Sequence, residues 1–156
     1  WEVSAQSVDQ AKTRVVTLRT GVVLTEKGGA LGKMALPFKL GAGGTLGSGS
    51  QYLAWIHLQD MVRAISFLIE NSACSGAFNL TAPKPVTNKM FSKALAKSLN
   101  RPCLFNVPGF VMKVAMGESS TMILEGQRVI PQKLTTAGFS FDFRSIDEAL
   151  REIYRA

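Results

Sequence analysis

One stretch of the chain restricts the fold more than any other: Gly44-Thr45-Leu46-Gly47-Ser48-Gly49-Ser50-Gln51, running into Tyr52-Leu53-Ala54-Trp55-Ile56-His57-Leu58-Gln59-Asp60. Its glycines permit positive φ and close backbone approach, and residues 52–56 carry the aromatic and β-branched side chains of a half-buried strand. Asp60 has the chemistry of an N-cap for the amphipathic run behind it. A loop, a strand and a helix in immediate succession form a unit around which an α/β chain can be built. Its glycine spacing does not make it a dinucleotide loop. From Gly41 or from Gly44, the G-x-G-x-x-G pattern requires glycine where Leu46 stands. The segment also precedes a strand, whereas the dinucleotide pattern follows one and opens a helix. A tight structural turn is the reading that remains.

The flanking segments complete an alternating order of strands and helices. Arg14-Val15-Val16-Thr17-Leu18-Arg19 is a short apolar run bounded by charge, the pattern of a parallel strand covered on both faces, and Thr20-Gly21 ends it. Residues 30–40 form an irregular helical stripe through Leu31, Met34, Leu36 and Phe38, with Pro37 placing a kink or stop near its end. Residues 61–70 place Met61, Val62, Ile65, Leu68 and Ile69 on one helical face, and 76–81 read as a strand. Thr87 N-caps a helix to Leu99 with Met90, Phe91, Ala94, Leu95 and Leu99 inward and Lys89, Lys93 and Lys97 outward. Two helices follow, at 108–116 and 118–127, and residues 131–134 lead into Ala137-Gly138-Phe139. Ser145-Ile146-Asp147-Glu148 is a capping box that opens a closing helix. Residues 2–12 read as the last turns of a helix. With Trp1 in first place, they lead us to expect a piece of a longer protein.

Composition excludes several classes. At 156 residues and 46% apolar content the chain can bury a core. Its apolar runs stop short of the roughly 18 residues a spanning helix needs, and no signal-peptide pattern is present, so a cytoplasmic location without membrane contact is expected. Cys74 and Cys103 have no CxxC or Cys/His spacing, which leaves neither a disulfide framework nor a zinc site. A net charge of +7 is compatible with anionic ligands or nucleic acid. The Lys89, Lys93, Lys97 stripe lacks the interleaved aromatics of a nucleic-acid platform and reads as a solvated face. His57, the only histidine, reads as a packed imidazole hydrogen-bonded through one nitrogen, and Phe139 and Phe141 as core.

Read in order, these segments resemble the C-terminal half of an extended short-chain dehydrogenase/reductase of the NAD(P)-dependent epimerase/dehydratase type. The resemblance is carried by Leu18-Arg19-Thr20-Gly21-Val22-Val23, Gly47-Ser48-Gly49-Ser50-Gln51, Trp55-Ile56-His57-Leu58-Gln59-Asp60 and Gly76-Ala77-Phe78-Asn79-Leu80. A narrower subgroup of sugar-nucleotide epimerase-like proteins with a C-terminal domain of unknown function is matched by Gly28-Gly29-Ala30-Leu31, Met34, Leu36-Pro37-Phe38, Gly117-Glu118, residues 124–134 (Leu124-Glu125-Gly126-Gln127-Arg128-Val129-Ile130-Pro131-Gln132-Lys133-Leu134) and Gly138-Phe139.

The resemblance implies an α/β fold: the C-terminal strands of a Rossmann-like parallel sheet with a small, mainly helical substrate lobe. Residues 1–100 would be the substrate-side part and 101–156 a C-terminal appendage. It implies NAD or NADP as cofactor of the full-length protein, with none bound by this piece alone, and a sugar or nucleotide sugar as substrate. The family's nucleotide loop and its Tyr-x-x-x-Lys pair are absent. Tyr52 is followed four places on by Ile56, and Tyr154 stands two residues from the last. The arginine that many sugar-nucleotide members carry before the aromatic-Ile-His segment is replaced by Leu53 and Ala54, leaving Arg19, Lys33, Lys39 and Arg128 as open choices for phosphate. Because ligands of open α/β sheets sit beyond the carboxyl ends of the strands, Arg19, Thr20, Gly21, Gln51 and Trp55 are the expected substrate-binding residues. An apolar face made for an N-terminal half, around Val15, Val16 and Leu18, would favour self-association. The rival expectation is a non-catalytic basic module that binds a protein partner or nucleic acid.

Overall fold

The computed structural model of the chain describes residues 13–107 and 126–155. The helices expected at 2–12 and 108–116, and nearly all of that at 118–127, lie outside the described residues. Within them the elements run β1 (Val16–Thr20), β2 (Val22–Leu24), α1 (Gly29–Lys39), β3 (Gly44–Leu46), β4 (Tyr52–Leu53), β5 (Trp55–His57) and α2 (Leu58–Glu70). They continue as β6 (Gly76–Leu80), β7 (Val86–Thr87), α3 (Asn88–Ser98), β8 (Phe105–Val107), α4 (Gln132–Thr136) and α5 (Ile146–Ile153). Three strand pairs are parallel: β1 with β6, β2 with β5, and β3 with β8. β4 pairs antiparallel with β7.

β1 and β2 are one extended run broken at Gly21, and the break is where the run changes partner. The Gly21 amide donates to the Leu80 carbonyl at 3.1 Å, and the next amide, that of Val22, donates to Ala54 at 2.8 Å. Only glycine fits there: a Cβ would lie 2.8 Å from the Ala54 oxygen and 3.1 Å from Thr81 Cγ2. Successive residues of β5 then point to opposite faces. Trp55 packs in one core with Leu31, Phe91, Leu95 and Leu150, while Ile56 packs in a second with Leu68, Phe78, Leu80 and Leu134. Residues on both sides of position 100 share both cores, because α5 closes the first and α4 with Phe139 and Phe141 closes the second.

Local signals set most helix ends. Thr87 Oγ1 accepts from the Met90 amide at the start of α3. Ser145 and Glu148 form the expected reciprocal capping box, and the Ser145 hydrogen bonds hold the Glu148 carboxyl below its ordinary range. α1 stops two residues after Pro37 with Leu31, Met34 and Phe38 buried, whereas Leu36 is exposed. Three contacts differ from expectation. The N-cap of α2 is His57, not Asp60: its Nδ1 accepts from the Gln59 amide. The inward row of α2 is Asp60, Ala64 and Leu68, leaving Val62 and Ile69 exposed, and Met90 of α3 is exposed as well.

β1 is not enclosed on both faces within the described residues; its last three residues are exposed. Arg14, Val16 and Leu18 form a shallow depression with Ile65, Leu68 and Ile69 of α2. The Arg14 guanidinium fixes the far end of α2 by donating to the carbonyls of Leu68, Ile69 and Cys74 at 2.8 to 2.9 Å, a cation at a helix C-terminus. The Gly21 junction can be tested directly. Gly21→Ala should lower unfolding stability in urea by about 1–3 kcal/mol, the cost of forcing atoms into a packed site. An unchanged midpoint would show that the strand break tolerates a side chain.

Candidate functional site

The glycine-rich loop folds back onto the start of α3. The Gly49 and Gln51 carbonyls accept from the Lys89 and Asn88 amides at 3.0 and 2.8 Å, and the Asn88 side chain accepts from the Leu46 amide at 2.9 Å. Gly47 and Gly49 take φ of 54° and 71°, the left-handed region that lets the loop turn so sharply. Gln51 Nε2 donates to the Leu46 carbonyl at 2.9 Å, closing the loop from within. The amides at the head of α3 are therefore engaged by the loop and by Thr87, and no fan of free N–H groups is left to meet a pyrophosphate. These residues do not fit a cofactor phosphate. That agrees with the failure of the glycine spacing.

The junction between β5 and α2 is occupied by the C-terminal segment. Asp60 is fully buried, and its carboxylate accepts from the Asp142 amide at 3.0 Å, the Phe143 amide at 2.9 Å and Arg63 at 2.8 Å. Arg63 also pairs with Asp142 at 2.6 Å and donates to the Ser140 carbonyl. His57 Nε2 meets Glu152 Oε2 at 3.0 Å, and the imidazole packs on the Phe143 ring with centroids 3.9 Å apart. Since Nδ1 accepts from Gln59, the proton resides on Nε2 and is donated to Glu152. Both ring nitrogens are thus used, one more than expected, and the histidine serves as a strut.

The expected substrate residues are distributed as follows. Arg19 and Thr20 are exposed at the carboxyl end of β1, and Gly21 is half-buried against Ala54 and Thr81. Gln51 is half-buried within its loop, and Trp55 is 1% exposed in the first core. Arg19 and Thr20 are thus exposed, whereas Gln51 is bonded within its own loop and Trp55 lies inside the first core. The indole Nε1 of Trp55, the Thr81 hydroxyl and the Asn88 amide nitrogen are buried without a hydrogen-bond partner. Sequence reading left Arg128 as one of four cations. The structure sets it over the Tyr52 ring, 5.9 Å from the centroid, whereas Lys39 lies over Tyr154 on the first core. Burial, and secondarily Glu26, pushes the Tyr154 phenol up, so it is poorly suited to proton transfer near neutrality. Among the described residues, no group of three His, Cys, Asp or Glu could hold a metal, and no helix is long and apolar enough to cross a membrane.

The strut can be measured by nitrogen-15 NMR of the imidazole, which should report the Nε2–H tautomer. Glu152→Ala should cost about 1 kcal/mol, the scale of a half-exposed hydrogen bond from the neutral imidazole, with Glu152→Gln closer to the parent. An Nδ1–H tautomer would contradict the assignment.

Comparison with known proteins gives this geometry a context. Residues 107–153 match a family model described as a domain of unknown function, DUF1731. The epimerase family protein SAR0825 of Staphylococcus aureus is 42% identical over 153 residues, which cover 98% of this chain and 51% of that protein. The human epimerase family protein SDR39U1, solved with NADPH, superposes with a TM-score of 0.85 at 38% identity, over 91% of this chain and 48% of that one. A nucleoside-diphosphate sugar epimerase from Corynebacterium glutamicum gives 0.77 at 27% identity, over 98% and 29%. The chain spans about half the length of the S. aureus and human relatives it matches. In sequence and in fold it corresponds to the C-terminal half of the epimerase family proteins, with the DUF1731 domain over its last third.

Proposed function

We propose that this chain is the substrate-side half of an NAD(P)-dependent epimerase- or dehydratase-like oxidoreductase acting on a sugar or nucleotide sugar. Residues 1–100 are its substrate-side part, and residues 101–156, which also supply β8 and helices that close both cores, are a C-terminal appendage. The observation that carries the reading is the exposed Arg19-Thr20 pair at the carboxyl end of β1, where the run changes partner at Gly21. Strand ends of this kind are where open α/β sheets bind ligands. The NADPH held by the human relative and the sugar chemistry named for the C. glutamicum protein support the choice of cofactor and substrate.

In this reading Arg19 and Thr20 contact substrate, Gly21 allows the close backbone approach, and Gln51 and Trp55 fix the loop and strand behind them. Nucleotide binding and proton transfer belong to a glycine-rich βαβ unit and a Tyr-x-x-x-Lys pair, which this sequence does not contain. A calorimetric titration with NADP and NAD tests the division. The chain alone should bind neither, whereas the same chain joined to a βαβ half from its own reading frame should bind one of them. Micromolar binding to the chain alone, or none to the joined protein, would contradict it.

A further inference from the structure

A hollow of about 600 Å³ lies between the turn that leads into β6 and the exposed side of α4. Cys74, Phe78 and Ala137 give it an apolar wall, and Gln132, Lys133 and Thr136 of α4 a polar one. The helix divides its side chains between two surroundings: Leu134 is buried in the second core, whereas those three are exposed. Gly76, the first residue of β6, pairs with Val16 at the start of β1, and Leu80 pairs with Thr20 at the far end. The turn residues of the hollow therefore sit at the other end of the ladder from Thr20, about 13 Å away along the strand. Nothing in the proposed chemistry uses them.

Lys133 is the one charged side chain on this lining among the described residues. Its ammonium stands over the Phe78 ring, 4.4 Å from the centroid, and donates to the Ser75 carbonyl. Both partners are neutral, and no carboxylate pairs with it among the described residues. The carbonyl occupies one of its three N–H groups, and the ring face holds the cation without neutralising it. Lys133 is thus positioned while its charge stays open. One turn along α4, Thr136 Oγ1 lies 3.5 Å from Gln132 Nε2 as its acceptor, which leaves the hydroxyl hydrogen to donate elsewhere.

We propose that this hollow is a second ligand site, separate from the substrate end, for a small organic acid that sets one carboxylate on Lys133 and an apolar body against Phe78, Cys74 and Ala137. The volume is that of a small-molecule site, and a mostly apolar lining with a few polar groups is the usual composition of one. A single ammonium complements a single negative charge. A phosphate group brings nearly two charges and a strongly held hydration shell, and a wall of carbon and sulfur does not repay its dehydration. A neutral apolar molecule would cover the wall and leave the ammonium without a counter-charge.

The test uses the protein encoded by the whole reading frame and follows its backbone amides by NMR during titration with benzoate, benzyl alcohol or inorganic phosphate. Benzoate should give saturable shifts at Ser75, Phe78, Lys133 and Thr136 while those of Thr20 and Gly21 stay in place. Benzyl alcohol and phosphate should bind more weakly. Lys133→Gln should weaken benzoate about fivefold, the scale of one partly exposed charge pair, and Lys133→Arg should recover most of it by keeping the charge and the ring contact. Lys97→Gln, the same charge change on the exposed face of α3, should match the parent. Benzoate should also raise the Tm of the parent more than that of Lys133→Gln, because it binds the folded state alone. No saturable shift at the hollow, shifts confined to Thr20 and Gly21, benzyl alcohol or phosphate binding as well as benzoate, or equal losses in Lys133→Gln and Lys97→Gln would overturn the proposal. Should Lys133→Gln fail to fold, the comparison of benzoate with benzyl alcohol in the parent decides it.

Discussion

A carboxylate with no solvent access is costly unless its oxygens are satisfied, and Asp60 is satisfied by groups more than eighty residues away. The Asp142 and Phe143 amides and the Arg63 guanidinium together meet the charge. Removing Arg63 would take away the cation that pairs with this buried ion. This contact sets the position of the C-terminal segment. Phe143 is drawn against the imidazole of His57, Glu152 meets the same ring, and α5 closes over the first core through Ile146, Leu150 and Ile153.

The orientation of α2 follows from the same constraint. Its buried row is Asp60, Ala64 and Leu68, residues four apart that begin at the carboxylate. Arg14 holds the opposite end, so the helix is fixed at both termini by charged groups bonded to distant backbone. With α2 fixed, β6 and α4 pack as one layer around Phe78, Leu80 and Leu134, and the chain between Gly126 and Ile130 is laid across the strand ends.

Features that depend on neighbours in sequence were legible. The capping box at Ser145, the cap at Thr87, the helix end after Pro37 and the order of strands all follow from local backbone chemistry. Features that depend on distant partners were not. Asp60 has the chemistry of an N-cap, and nothing nearby reveals that its acceptors are spent on Asp142 and Phe143 while His57 caps the helix instead. The stripe through Val62 and Ile69 satisfied helical periodicity, but the Asp60 anchor turns that face to solvent. Leu53 and Ala54 showed where a cation was missing. That Arg128 stands over the Tyr52 ring follows from Gly126 and Ile130 being set against β4 and β6, which no neighbour in sequence reveals.

The dependence on Asp60 is measured most directly by amide hydrogen exchange in the parent and in Asp60→Asn, residue by residue. Substitution removes the charge and one acceptor from the site, so the Asp142 and Phe143 amides should exchange at least tenfold faster. Protection in α5 should fall with them, while the amides of α3 keep theirs. Unchanged exchange at Asp142 and Phe143 in Asp60→Asn would contradict the claim that the buried carboxylate positions the C-terminal segment.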